Sequence, residues 1–437
     1  MNDNLQTSFE EKEPILLSDN LSRPRKKRKL NLSQTIGPGL LMAGAAVGVS
    51  HLVQSTRAGA NFGLQLLPLI VLVNIAKYPF FEIGHRFTAS TGKSLLDGYN
   101  CLGKNYLRLF LLLNLFVSTA TTAGVLFVTA SIGAELINYN NTFHLSFFIL
   151  VACLVILSQG SYGGLDIIMK IIMCILVFTT ILTLSLAIKI GGQRALMSSP
   201  DSPWTVSNLP FLLALMGWMP APIELSVWQS LWFKERDHKK NYKTSLTEAK
   251  IDFNLGYFLT LSLALSFLGL GACVMFQVSS GFPSSGVDFA QTFINMYTQS
   301  IGEWLRPFIT AASFTAMFST CLTVIDAYPR SLSEGLVILT RKKEKKSRTN
   351  YWIFMTIILI TSLIVMSFFG KNLKNIVDYA TIISFIAAPI FAFLNFKLIY
   401  SKFTPKKYQP NIYFKALSLF GLSFMTLFLI LFLLTLF

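Results

Sequence analysis

Two interruptions in apolar stretches of the chain carry side chains able to bind a cation. The first comprises residues 48–51 (Gly-Val-Ser-His), whose last residue, His51, offers an imidazole. The second comprises residues 219–222 (Met-Pro-Ala-Pro), in which Met219 offers a thioether. Imidazole suits zinc, copper, iron and nickel, whereas a thioether suits softer ions. Together the two side chains indicate a site for a transition-metal ion.

The backbone must open at the second interruption, because Pro220 and Pro222 each lack an N–H group and clash with the preceding helical turn. In lipid, open backbone persists only where it is buried in protein or lines a cavity. Interrupted helices in corresponding positions of two halves of a chain point to the binding site of a transporter. Either interruption alone is typical of an ordinary kink, whereas the two together favour a shared site. We predict helix breaks at Val49, Ser50, Pro220, Ala221 and Pro222, and substrate contacts from Gly48, His51, Met219, the backbone carbonyl of Met216, and Glu224.

Glu224 and His51 each have a structural alternative to a role at this site. If Ala221 is the N-cap of the following helix and Pro222 its first residue, Glu224 occupies position N3, where a carboxylate caps the helix and favours its dipole. His51 is either a ligand or a titrating gate, since an imidazole titrates at about pH 6.5, or it is a hydrogen-bonded core residue. The sequence leaves both alternatives open.

Several charged residues lie within apolar stretches, where charges are costly and often functional. Glu82 and Arg86 are four residues apart and can pair on one helix face, and Asp326 and Arg330 repeat that spacing. Asp378 has no such partner and is predicted to be an orphan carboxylate. The candidates for a gate or a proton path are Glu82, His85, Arg86, Asp326 and Asp378, and Lys77 is a further charge in the same stretch as the first three.

The elements that position these residues are predicted to be membrane-spanning helices. Of the 437 residues, 53% are hydrophobic and 13% charged, whereas soluble domains carry about 25% charged residues. Apolar blocks of about twenty residues are long enough to cross a hydrocarbon core. We therefore predict an all-α polytopic membrane protein with about eleven transmembrane helices, numbered spans 1 to 11. The expected spans are 34–62, 64–88, 107–136, 144–160, 166–190, 207–232, 253–278, 304–328, 351–370, 374–400 and 412–437.

The basic residues predict the orientation of the chain and exclude nucleic acid as a partner. The net charge is +16, and the Lys and Arg residues cluster in runs between apolar blocks, at 23–29, 234–243, 341–348 and 402–407. Such runs are typical of cytoplasmic loops, so we expect a multi-pass protein of a bacterial inner membrane with its N-terminus in the cytoplasm. The expected organisation is a disordered basic head (1–33), a transporter core (34–400, with repeats 34–190 and 207–400) and an additional C-terminal helix (401–437). The lipid bilayer is an expected partner, and the oligomeric state is left open.

Four sequence motifs resemble those of the Nramp divalent-metal transporters. They are Gly37-Pro38-Gly39, Ala58-Gly59-Ala60, residues 91–95 (Thr-Gly-Lys-Ser-Leu) and Met219-Pro220. The resemblance implies a LeuT-like fold of two inverted five-span repeats, broken in spans 1 and 6. It further implies a divalent metal ion as the transported substrate, bound at the membrane midplane and coupled to protons, with no enzymatic cofactor.

The chain departs from the Nramp pattern at both breaks. In the family the span 1 break reads Asp-Pro-Gly-Asn, and its Asp and Asn bind metal; residues 48–51 supply an imidazole but no carboxylate. The family's His-Asn after Met-Pro is replaced by Ala221-Pro222, which removes a histidine linked to proton movement. We therefore predict a secondary transporter of divalent metal ions (manganese-, iron- or zinc-like) with an altered site and altered coupling. The alternative is a transporter of amino acids or other small organic solutes, and no pattern typical of an enzyme is present.

Overall fold

The computed structural model of the protein describes residues 37–159, 174–189, 201–239, 244–276, 283–341, 345–370 and 372–435. The predicted basic head, 1–33, lies outside these residues. Within them the regular elements are helices, apart from one isolated bridge between Ser285 and Asn372.

Each expected span corresponds to one helix or to a pair of helices. Span 1 comprises Pro38–Ala46, a π-helical turn Ser50–Ser55 and Thr56–Phe62, and span 6 comprises Leu209–Gly217 and Leu225–Lys239. Spans 2 to 5 are Leu67–Thr91, Lys104–Ile137, Thr142–Ser158 and Cys174–Lys189. Spans 7 to 11 are Leu246–Leu270 with a π-helical extension Gly271–Met275, Arg306–Thr340, Lys345–Phe369, Leu373–Ile399 and Ile412–Leu434. Shorter helices, Leu95–Leu102 and Gly286–Ile301, lie before spans 3 and 8.

Seven helices of the described chain are long and apolar enough to cross a membrane, namely spans 2, 3, 7, 8, 9, 10 and 11. Spans 1 and 6 fall short because each is divided into two shorter helices. Large apolar side chains such as Phe116 and Phe368 are 66% and 83% exposed on the outer surface. Such exposure suits contact with lipid tails, and the count of eleven spans remains a prediction.

The Gly-Pro-Gly motif at the start of span 1 lets this helix cross span 7 at very close range. A Cβ at Gly39 would lie 2.0 Å from the Asp252 carbonyl oxygen, and one at Gly256 would lie 2.1 Å from the Gly39 carbonyl oxygen. The Asp252 carboxylate accepts hydrogen bonds from the Gly37 and Gly39 N–H groups, at 2.9 and 2.8 Å. These are free donors of the first helical turn, so span 7 caps span 1.

The Thr-Gly-Lys-Ser-Leu motif ends one helix and begins the next. Gly92 adopts a left-handed conformation (φ 71°) and ends span 2, which is the usual role of glycine after a helix. Ser94 then caps Leu95–Leu102 and forms a capping box with Asp97. The motif thus connects span 2 to span 3, which packs against spans 8 and 10.

Candidate functional site

The break in span 1 is narrower than the four residues predicted. The helix Pro38–Ala46 ends with its last turn distorted, since the Gly48 N–H donates to the Ala46 carbonyl two residues earlier at 2.9 Å. Val49, Ser50 and His51, predicted to be part of the opening, are helical instead: Val49 has helical backbone angles (φ −54°, ψ −39°), and Ser50 and His51 begin the π-helical turn Ser50–Ser55. The interruption is therefore a sharp bend at Val47 and Gly48, followed by the π-helical turn.

The break in span 6 is present and wider than predicted. One helix ends at Gly217 and the next begins at Leu225, so residues 218–224 are not helical; the Met219–Pro220 peptide bond is cis. Because the second helix begins at Leu225 rather than Pro222, Glu224 precedes its first residue. The predicted N3 capping role of Glu224 is therefore wrong.

A small cavity lies between the two breaks. Its volume is about 30 Å³, which is room for about two water molecules. Of the predicted site residues, Gly48, Val49, Ser50 and Pro222 line the cavity. The remaining lining residues come from spans 1, 3, 6 and 8 and are Ala45, Ala46, Thr121, Val125, Trp218, Leu225, Trp228, Thr320 and Val324.

His51 and Met219 are fully buried, but neither belongs to the lining of the cavity. The His51 Nε2 atom lies 3.0 Å from the Thr260 carbonyl oxygen of span 7, and Nδ1 lies 2.8 Å from the Ser50 hydroxyl. Since a carbonyl only accepts, a neutral ring donates from Nε2 and accepts at Nδ1. This geometry is that of the hydrogen-bonded alternative, and a ligand role for His51 stays a prediction.

Lys77 binds three backbone carbonyl groups at the span 6 break. Its Nζ atom donates to the carbonyl oxygens of Met216, Gly217 and Ala221, at 2.6, 2.8 and 3.4 Å. The Met216 carbonyl, which we predicted to contact the substrate, thus binds an ammonium group in this conformation. Sequence reasoning noted the charge of Lys77 but missed its partners; the signal was a lysine within an apolar span, which must find acceptors.

Glu224 is fully buried beside the cavity wall. Its Oε1 atom accepts a hydrogen bond of 2.8 Å from the Tyr328 hydroxyl, whereas Oε2 has no hydrogen-bond partner among the described residues. Tyr328 also contacts Thr121, which lines the cavity. A short series of polar groups therefore connects the cavity with the Glu224 carboxylate.

Asp378 is paired, and the prediction of an orphan carboxylate is wrong. Its Oδ1 atom accepts from Arg57 at 2.7 Å and from Gln54 at 3.1 Å. The Arg57 guanidinium also lies over the Phe211 ring, 4.4 Å from its centroid. These contacts join span 1 to spans 10 and 6 on the side of the cavity where span 1 ends and span 10 begins. The sequence did not reveal this pair because its members lie 321 residues apart.

The two pairs predicted from i,i+4 spacing are present on the opposite side. Arg86 donates from Nε and from its NH2 group to the two Glu82 oxygens, at 2.8 and 2.6 Å. Asp326 binds Arg330 at 2.9 Å and accepts from the Tyr351 hydroxyl of span 9 at 2.8 Å. The remaining gate candidate on this side, His85, packs against the rings of Phe233 and Phe253. Roles of these residues in gating or proton movement stay predictions.

Within the described ranges, no cluster of three or more His, Cys, Asp or Glu side chains is placed to hold a metal ion. Apart from the indole N–H groups of Trp218 and Trp228, the polar side-chain groups of the lining residues are hydroxyls, from Ser50, Thr121 and Thr320. An ion in the cavity would therefore meet neutral oxygen atoms rather than carboxylates or thiolates.

The chain is similar to characterised and uncharacterised proteins over most of its length. A family model described as "Nramp: Natural resistance-associated macrophage protein-like" matches residues 39–435. The chain is 38% identical over 406 residues to the "Uncharacterized protein PM0681" of Pasteurella multocida (strain Pm70), and this match covers 91% of each chain.

Solved structures with a similar fold include that of a manganese transporter. The Eremococcus coleocola manganese transporter in complex with an aromatic bis-isothiourea substituted compound has a TM-score of 0.70 at 14% identity, covering 94% of this chain and 89% of that one. MhsT in complex with L-phenylalanine has a TM-score of 0.61 at 14% identity, covering 95% of this chain and 100% of that one. Because the matching family model extends over residues 39–435 and includes both broken helices, the chain belongs to the Nramp family, with the LeuT-like fold that these structures share.

Proposed function

We propose that the protein is a secondary transporter that moves divalent metal ions across a membrane by alternating access, with the cavity between the two breaks as the substrate site. The observation that carries this proposal is the cavity itself, which is small and placed where spans 1 and 6 interrupt their helices. A volume of about 30 Å³ suits a dehydrated ion with one water better than a larger solute in this conformation. The proposal agrees with the manganese transport named for a protein of similar fold.

The oxygen atoms around Thr320 are the best candidates for ion ligands. The Thr320 hydroxyl lies 3.2, 3.5 and 3.2 Å from the carbonyl oxygens of Gly44, Val47 and Ala316. A hydroxyl carries one proton and donates to one acceptor at a time, so lone pairs remain at the end of the helix Pro38–Ala46. That end also carries the negative pole of the helix dipole. Carbonyl and hydroxyl oxygens suit magnesium, calcium and manganese, so we place manganese ahead of the softer metals indicated by His51 and Met219.

Replacing the Thr320 hydroxyl tests the substrate site. In Thr320→Val we expect the initial rate of Mn²⁺ uptake into proteoliposomes to fall about tenfold, equivalent to about 1.4 kcal/mol, because the isosteric side chain offers no oxygen. The matched control is Thr315→Val in the same helix, whose hydroxyl bonds the Ala311 carbonyl and does not line the cavity. Unchanged uptake in Thr320→Val would reject the site, and no Mn²⁺, Fe²⁺ or Zn²⁺ uptake above empty liposomes by the wild type would reject metal transport.

A small organic solute is the second candidate substrate. The observation that favours it is the Lys77 ammonium at the span 6 break, together with the indole rings of Trp218 and Trp228 in the cavity wall. A thermal-shift screen separates the two proposals. Stabilisation by amino acids combined with indifference to Mn²⁺, Fe²⁺ and Zn²⁺ would replace the metal by an organic solute.

The family, the charge distribution and the two breaks support further features of the proposed transporter. Nramp proteins are transporters, and membership of the family supports the proposal that this protein is not an enzyme. It also supports a metal ion as transported substrate rather than as cofactor. The basic runs between apolar blocks support an N-terminus in the cytoplasm. Repeats at 34–190 and 207–400 agree with breaks in the first span of each half. We further propose that Asp378 and the pairs Glu82–Arg86 and Asp326–Arg330 close the two sides of the cavity.

A further inference from the structure

The Lys77 ammonium joins the end of the first span 6 helix to the break that follows it. The carbonyl groups at the end of a helix lack partners within it, and Met216 and Gly217 are the last residues of Leu209–Gly217. Ala221 lies within the break, four residues after Gly217, and its carbonyl faces the same nitrogen atom. An ammonium group has three N–H donors, and here three carbonyl oxygens surround it at 2.6, 2.8 and 3.4 Å. The side chain is fully buried, so these oxygens serve as its coordination shell.

The two breaks satisfy their open carbonyl groups in different ways. At the span 1 break the carbonyl groups face neutral hydroxyls: the Ser50 oxygen lies 3.1 Å from the Ala46 carbonyl oxygen, and the Thr320 oxygen lies near those of Gly44 and Val47. At the span 6 break the Lys77 amino group donates to the carbonyls instead. Only the span 1 side therefore keeps oxygen atoms that a free cation can approach without repulsion.

Glu224 provides the opposite charge for Lys77. Both side chains are fully buried, and Glu224 lies three residues after Ala221, whose carbonyl binds Lys77. The Glu224 carboxyl group also accepts a hydrogen bond from the Tyr328 hydroxyl. An isolated charge is very costly to bury, whereas a paired and hydrogen-bonded one is tolerated. Three carbonyl oxygens and a buried carboxyl group nearby therefore offset the cost of burying an ammonium at the break.

We propose that Lys77 is a tethered cation that determines specificity: its ammonium fills the carbonyl cage of Met216, Gly217 and Ala221, excludes a free cation from it, and leaves the span 1 side to the substrate. The cage itself is independent of the proposed function, and only the effect on metal uptake rests on it. A free cation is expected to enter the cage when the ammonium is removed.

Chemical rescue tests the cage without measuring transport. In Lys77→Ala we expect a lower melting temperature in detergent, and recovery of at least half of the loss in ammonium or methylammonium chloride relative to choline chloride at equal ionic strength. The wild type should show no such difference. The matched control is Lys397→Ala, because Lys397 lies in span 10 and contacts the Tyr106 hydroxyl rather than either break. A folded Lys77→Ala protein that no small cation stabilises would overturn the proposal.

Lys77→Gln covers the case in which the alanine variant does not fold. The amide keeps two N–H donors but has no charge. We expect this variant to melt below the wild type and to be stabilised by Glu224→Gln in the same chain, since the carboxylate then no longer lacks its opposite charge. A Lys77→Gln protein as stable as the wild type would show that hydrogen bonding alone suffices and would contradict a tethered cation.

Metal uptake by Lys77→Gln provides the test of specificity. Removal of a positive charge beside the cavity should lower the apparent KM for Mn²⁺ about tenfold, whereas Lys397→Gln should leave it unchanged. An unchanged or higher KM in Lys77→Gln would reject the role in specificity. If neither wild type nor variant transports metal while chemical rescue succeeds, the proposed function fails and the tethered cation stands. Metal transport without chemical rescue would instead reject the tethered cation and leave the proposed function intact.

Discussion

Gly217→Ala is expected to destabilise the protein by about 3 kcal/mol or more, at or above the upper end of overpacking costs. Gly217 ends the first half of span 6 and lies directly against span 10. An added Cβ would lie 2.1 Å from the Thr381 carbonyl oxygen and 2.9 Å from its carbonyl carbon. Both are backbone atoms, so no side-chain rotation relieves the contact. Spans 6 and 10 would have to separate at the break itself, and we expect loss of uptake as well as of stability.

Gly44→Ala is the matched control for this prediction. Gly44 also lies in the first half of a broken span, but a Cβ there meets nothing within 4 Å. Size-exclusion profiles of detergent-solubilised protein after heating compare the two variants. Equal melting temperatures for Gly217→Ala and Gly44→Ala would show that the close approach of span 6 to span 10 is wrong.

Asp378→Asn is expected to cost about 2–3 kcal/mol of stability, somewhat below the range for breaking a fully buried ion pair. Arg57 is 5% exposed and Asp378 21% exposed, so the guanidinium would remain buried with a neutral partner. Span 1 would lose its charged link to span 10 on this side of the cavity. Without the ion pair, contact between spans 1 and 10 on that side of the cavity is weaker. We therefore also expect Mn²⁺ to leak faster from loaded proteoliposomes.

Thermal melting and efflux assays measure both effects. Glu303→Gln is the control, since Glu303 and Arg306 form a pair that is 69% and 37% exposed, and exposed pairs contribute little. A double variant, Arg57→Gln with Asp378→Asn, should recover part of the lost stability because no charge is then left buried alone. If Asp378→Asn costs as much in the Arg57→Gln background as in the wild type, the two side chains are not coupled.

The membrane class and the position of the span 6 break could be predicted from local sequence. An apolar block predicts burial in protein or contact with lipid without knowledge of the fold. Pro220 and Pro222 prevent a continuous helix in any tertiary context. The pairs Glu82–Arg86 and Asp326–Arg330 were equally accessible, because helical geometry alone brings residues four apart together. The break in span 1 was harder to delimit, since glycine permits a bend without requiring one.

Only the tertiary structure decided which side chains meet at the breaks. His51 reaches Thr260, Lys77 reaches Met216, and Arg57 reaches Asp378, across separations of 209, 139 and 321 residues. A helical pattern determines which face of a span is buried, but the rotation and crossing of one helix against another determine the partner on that face. For that reason the sequence by itself identified a broken-helix transporter. Only the packing of span 2 against span 6 showed that a lysine binds the backbone carbonyl groups at one of the two breaks.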